Sequence, residues 1–139
     1  MMKVMTKSKF LIEMRKIKKR VTPARLAMFE ILKESFSPIS ADKLVKEIGV
    51  NKTTVYRDLS LFLKKDFIEE ADFGDGIKRY EIKGSKHHHH LICVQCKSVQ
   101  DISFDENLEK EENNIKKYRN FQVLRHDLEF FGYCKNCTK

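Results

Sequence analysis

The sequence predicts an α+β chain: an N-terminal winged helix followed by a small α/β domain built around a structural zinc site. Three observations predict it. Two short helical patterns joined by a Gly-containing turn run over residues 40–65, and a Gly-Asp-Gly hairpin signal follows them. All five histidines and all four cysteines lie in residues 86–139. The cysteines form two C-x-x-C pairs, Cys93/Cys96 and Cys134/Cys137. The composition shift near Gly84-Ser85 marks the expected boundary, with a winged-helix DNA-binding domain over 1–84 and a metal-binding domain over 85–139.

The 139 residues are 41% hydrophobic and 10% aromatic, enough to build packed cores. No apolar run approaches the roughly 18–20 residues of a membrane span. The N-terminus lacks an uninterrupted apolar segment and an A-x-A-like cleavage site, so the expected compartment is the cytoplasm. Thiols stay reduced there, and four cysteines point to metal before disulfides. The net charge of +8 is uneven: residues 1–85 carry 19 Lys+Arg against 12 Asp+Glu, and residues 86–139 carry 9 against 8. A basic first part suits a polyanion such as double-stranded DNA. A lysine-rich solvated surface is the plain alternative.

Taken in order, Phe10, Met14 and Ile17 set a helical spacing over 7–19. Thr22-Pro23 caps and opens a second helix with Ala24, Ala27, Met28, Ile31 and Leu32 on one stripe. Ser37-Pro38 closes that region. Ser40 can cap a short third helix carrying Leu44, Val45 and Ile48, which Gly49 stops. A tight turn then leads into KTTVYRDLSLFLKK, with Val55, Leu59, Phe62 and Leu63 on one face. Lys52, Thr53, Thr54, Tyr56 and Arg57 cluster at its front end, mostly off that face, where a helix-turn-helix meets bases and phosphates. An ordinary amphipathic helix with a solvated side explains the same pattern. Phe67, Ile68, Ile77, Tyr80 and Ile82 flank the Gly74-Asp75-Gly76 turn and make a wing, on which Lys78 and Arg79 could meet the sugar-phosphate backbone.

In the second part, Leu91, Ile92 and Val94 make 87–94 a predicted strand. Strand alternation sends His88 and His90 one way and His87 and His89 the other, so one strand can feed two metal sites. A flexible loop of histidines would instead bind metal loosely. The paired C-x-x-C motifs suit tetrahedral zinc, with thiolates at about 2.3 Å and no open position for chemistry. A redox pair or four unrelated thiols are the alternatives. Ser103 to Glu106 reads as a capping box opening a helix over 104–118 with Leu108, Ile115 and Tyr118. FQVLRHDLEFFGYC reads as one or two strands. Its Phe121, Val123, Leu128, Phe130 and Phe131 supply more apolar area than so small a domain needs, which suits a dimer face.

With a winged helix, then HHHHLICVQC, then a terminal CKNC, the chain resembles the ferric uptake regulator family from KKRVTPAR through TTVYRDLSLF to FFGYCKNC. The resemblance implies a dimeric metal-dependent repressor, a homodimer that can further pair into a tetramer, with a C-terminal α+β dimerisation domain. It implies that Cys93, Cys96, Cys134 and Cys137 hold structural zinc. Glu81, His88, His90 and Asp101 match a regulatory site for iron(II) or manganese, with other divalent ions possible. His87, His89, Glu109 and His126 match an additional metal site. The expected DNA contacts are Arg25, Lys52, Thr53, Thr54, Tyr56, Arg57 and Lys78.

Three features depart from the family pattern. Pro38 stands where many members place a ligand histidine, and proline cannot ligate. The stretch from Ala41 to Thr53 looks short by about four residues, roughly one helical turn. His89 stands where an aspartate is frequent. Peroxide sensing is the alternative within the family, since such regulators keep an aspartate at the place of Asp101. A metal buffer without DNA function is the alternative outside it, and leaves TTVYRDL and the charge asymmetry unexplained. No catalytic residues are expected: the deaminase signature is absent, and every cysteine is committed to zinc.

Overall fold

A computed structural model of the chain describes residues 5–35, 37–84, 88–104, 106–124 and 126–138. It divides into two compact units, residues 1–86 and 87–139. Among the described residues no helix is long and apolar enough to cross a membrane.

The first unit runs α1 (Lys7–Lys16), α2 (Pro23–Glu34), β1 (Ile39–Ser40), α3 (Ala41–Ile48), α4 (Lys52–Lys64), β2 (Ile68–Asp72) and β3 (Lys78–Ile82). Each helix start is a side-chain cap. Thr6, Thr22, Ser40 and Asn51 accept from the backbone N–H three residues on, at 2.9–3.3 Å. Gly49 ends α3 with a left-handed φ of 77°, where a Cβ would be strained. The helix predicted over 7–19 stops earlier. Lys18 adopts φ 55°, and the Lys18 and Lys19 amides turn back to the Arg15 and Met14 carbonyls at 3.0 Å each. That closes a Schellman turn without glycine.

Phe10 stacks on Phe29 with ring centroids 4.2 Å apart, and Phe62 and Phe67 meet Phe10 edge-on. Met14, Met28, Leu44, Val55 and Leu59 complete this buried core. The wing sheet has strand order β1-β3-β2, all antiparallel, with Ile68 opposite Ile82 and Ile39 opposite Tyr80. These alternating apolar residues bury one face on the helices. The arrangement is a winged helix.

The second unit runs β4 (His89–Cys93), β5 (Val99–Ile102), α5 (Glu109–Arg119) and β6 (Glu129–Gly132). Its sheet order is β5-β4-β6, with β4–β5 antiparallel and β4–β6 parallel. The predicted capping box does not form. α5 begins at Glu109, whose amide donates to Asn107 Oδ1 at 3.0 Å, and the Glu106 carboxylate is drawn to histidines instead. FQVLRHDLEFFGYC yields one strand among the described residues, β6. The interior is thin. Ile92, Cys93 and His89 are buried, while α5 buries no residue and Tyr118, Phe121, Leu124, Phe131 and Tyr133 are exposed.

Candidate metal centres

The four cysteines meet where β4 and β6 end. The Val94 amide donates to the Gly132 carbonyl at 2.8 Å, which brings the two C-x-x-C turns side by side. In the first turn Lys97 takes φ 64° and its amide returns to the Cys93 carbonyl at 3.0 Å. In the second, the Cys137 and Thr138 amides return to the Cys134 carbonyl at 3.0 and 2.8 Å. The four Sγ atoms lie within 4.8 Å of one another, and Cys96 Sγ is 3.7 Å from Cys134 Sγ. Tetrahedral geometry with Zn–S near 2.3 Å requires an S···S separation of about 3.8 Å. The residues therefore fit zinc, and all four are free thiols.

Charge also favours a cation there. Backbone amides of Cys96 and Cys134 lie 3.5 and 3.4 Å from Cys93 Sγ and hold its thiol down at about 6. The Cys137 thiol lowers that of Cys134, and is itself pushed up to about 12 by its bond to Cys134 and by burial. Crowded thiolates resist the last ionisations until a divalent ion cancels the charge.

A second cluster forms on β4 and β5. His90 lies directly opposite Asp101. His90 Nε2 is 3.6 Å from Asp101 Oδ1, His88 Nε2 is 3.8 Å from Oδ2, and the two imidazoles stand 5.0 Å apart, edge to face. Two nitrogens and a carboxylate converge, a borderline donor set suited to first-row divalent ions. Glu81 sits in β3 of the first unit, opposite Glu69.

His89 turns to the other side of β4. It is 1% exposed, packs on Phe104, and places Nε2 2.7 Å from Glu106 Oε1. The same oxygen is 2.7 Å from His126 Nε2, and Glu112 Oε1 is 2.8 Å from His126 Nδ1. The carboxylates meeting His126 are thus Glu106 and Glu112. Glu109, the expected ligand, is exposed in the first turn of α5. His87 lies outside the described residues. Sequence reasoning missed Glu106 because its S-x-x-E spacing reads as a capping box, and Glu112 because nothing local marks it.

With both ring nitrogens on carboxylates, the protonated form of His126 is favoured. The Glu106 bond, then the Glu112 bond, raise its pKa above the usual value. In protein stripped of metal at the histidines, its contribution to stability is fully present below about pH 6.5 and is lost as pH rises through the elevated pKa. An NMR titration should place the His126 midpoint above about 6.5, and lower it in Glu106→Gln. A wild-type midpoint at or below the ordinary value would contradict the clamp.

The expected DNA contacts divide. Lys52, Thr53, Tyr56 and Arg57 are exposed at the front of α4, with Thr54 half-buried beside them. Lys78 is exposed on β3. Arg25 is turned inward. Its Nε and Nη2 donate to Asp58 Oδ1 at 3.0 and 2.9 Å, and Nη1 donates to the Arg20 carbonyl. Asp58 is 1% exposed, and this pair ties α2 to α4.

Residues 16–131 match the model of the ferric uptake regulator family. The chain is 36% identical over 128 residues to the ferric uptake regulation protein of Bacillus subtilis, covering 86% of this chain and 85% of that one. It is 30% identical over 125 residues to the peroxide operon regulator of the same organism, again covering 86% and 85%. Among solved structures, the Vibrio cholerae ferric uptake regulator superposes with a TM-score of 0.71 at 29% identity, covering 88% of this chain and 98% of that chain.

Proposed function

This chain belongs to the ferric uptake regulator family, and from that premise we propose that it is a metal-responsive repressor binding operator DNA as a homodimer and sensing iron(II) or a similar divalent ion. The observation that carries the reading is the convergence of His88 and His90 on Asp101, beside a separate four-cysteine cluster. One cluster is thiolate-rich and closed, the other nitrogen–oxygen and open to exchange.

The division of labour follows from chemistry. Cys93, Cys96, Cys134 and Cys137 hold zinc permanently and staple a unit with little apolar interior. His88, His90 and Asp101, with Glu81 as the first unit's donor, take the sensed ion. Pro38 offers no donor, so coupling between the units rests on Glu81, another ligand or water. Ligands drawn from both units bind best in one arrangement, and the ion shifts the population towards it. In a dimer that arrangement sets the spacing of the two α4 helices, which must reach grooves about 34–36 Å apart. His89 and His126, with Glu106, Glu112 and His87, form the additional site. The absence of cysteine from the sensory set favours iron or manganese. The exposed Phe130, Phe131 and Tyr133 supply the apolar surface that a second copy covers.

On the DNA side, Lys52, Thr53, Thr54, Tyr56 and Arg57 meet bases and phosphates, and Lys78 meets the backbone. Arg25 braces α4 from behind through Asp58. Arg57→Ala should weaken operator binding by roughly 1–3 kcal/mol if Arg57 reads a base. A loss equal across all sequences, with a shallower salt slope, would make it a phosphate contact.

Peroxide sensing is the second reading, favoured by Asp101 as the carboxylate beside both histidines and by the match to the peroxide operon regulator. Gel shifts on the protein's own upstream region, run anaerobically with each candidate ion and then after peroxide, test both. Metal-dependent retention insensitive to peroxide supports metal sensing; release by peroxide supports the second reading; no retention with any ion sinks both.

A further inference from the structure

The wing holds a buried ion pair that DNA recognition alone does not explain. Gly74 and Gly76 take left-handed φ of 78° and 79° in the β2–β3 turn, with Asp75 between them. Arg79 Nη2 donates to Asp75 Oδ2 at 2.9 Å and Nη1 donates to Oδ1 at 3.3 Å. Asp75 Oδ1 also accepts from the Ile77 amide at 3.0 Å, and Asp72 Oδ1 from the Gly74 amide at 2.9 Å. The guanidinium lies 5.4 Å from the centre of the buried Phe73 ring. Both charged side chains are only 7% exposed. The bond from Arg79 holds the Asp75 carboxyl below the usual carboxylate range.

Such a pair adds little stability, because desolvation offsets most of the attraction. What a two-pronged fork does well is fix geometry. Beyond Arg79, where the pairing of β1 stops, β2 and β3 continue as a two-stranded ribbon with little of its own to hold its tip in one pose. The fork ties the turn to β3, and alternation along β3 then directs the neighbouring side chain. With Arg79 committed to one side, Lys78 falls on the other, exposed, its Nζ 3.7 Å from Glu70. Arg79, which the sequence offered as a backbone contact beside Lys78, is taken out of that role by its burial.

We propose that the Asp75–Arg79 fork is a positioning device that presets the wing and delivers Lys78 to a DNA phosphate. Arg79 is a positioning residue and touches no phosphate. This rests on the reading of the chain as a DNA-binding regulator.

The test is operator binding by the full-length, metal-loaded protein, measured by fluorescence anisotropy across a salt series. Lys78→Gln should reduce the salt slope by about one. Asp75→Asn and Arg79→Gln should each weaken binding by roughly tenfold alone, and by almost nothing in the Lys78→Gln background, since coupled residues are not additive. Arg79→Lys keeps the charge but loses the fork, so it should be as weak as Arg79→Gln; it also serves where the Asp75 variant fails to fold. An Arg79→Gln loss that persists undiminished without Lys78, or an Arg79→Lys protein that binds like wild type, overturns the lock while leaving DNA binding intact. Wild-type protein that binds no operator with any ion removes the premise, and the proposal falls with it.

Discussion

Cys134→Ser should lose its zinc and unfold most of the second unit while the first unit still melts cooperatively. The asymmetry follows from how each unit is held. The first unit buries Phe10, Phe29, Phe62, Met14, Met28 and Leu59 almost completely. Each such side chain is worth about 1.5–3 kcal/mol, so that unit needs no staple. Among the described residues the second unit buries Ile92, Cys93 and His89, and α5 buries nothing. Its two C-x-x-C turns are joined through sulfurs within 4.8 Å of one another. Structural zinc contributes on the order of 10–16 kcal/mol of apparent binding energy in small domains, and that energy is folding energy. A serine oxygen leaves a three-thiolate site. The zinc content by atomic absorption should fall, and the circular dichroism of the second unit should fade while the first unit's transition persists. A variant that keeps its zinc and melts like wild type would refute the assignment of the four cysteines.

Legibility in the sequence tracked the range of the interaction responsible. Thr22, Ser40 and Gly49 act on their own helix ends within four residues, and the caps and stop they predict are present. The winged helix followed from such local signals, and the metal character of the second unit from ligand types that have few other uses. Three features were hidden for one reason, since each is set by a partner distant in sequence. Arg25 looked like a DNA contact, but its partner Asp58 is 33 residues away. Glu106 looked like a capping residue, but His126, 20 residues on, claims it. β1 is a strand only because β3 offers Tyr80 and Arg79 as partners. The end of α1 is a fourth kind of case. Its pattern continues through Ile17, and a lysine in the left-handed region, a conformation that usually falls to glycine, ends it without a signal in the sequence.

His90→Ala should leave folding and structural zinc intact while abolishing metal-dependent operator binding. His90 stands on the face of β4 opposite to His89, so its removal leaves the buried His89, Phe104 and Glu106 contacts untouched. The cysteine turns close through Val94 and Gly132, at the far end of the strand. What is lost is one of two imidazoles facing Asp101. An ion shifts a two-state equilibrium only by its differential affinity for the two states. A hundredfold loss of affinity, about 2.8 kcal/mol, consumes most of the coupling that typical allosteric sites possess. Thermal melts and zinc content should match wild type, and gel shifts should show no retention at ion concentrations that saturate the wild-type response. His89→Ala provides the contrast, because burial makes it a folding variant first. An unchanged metal response in His90→Ala would sink the sensory role of the His88–His90–Asp101 cluster. Loss of zinc alongside the response would instead make His90 part of the fold.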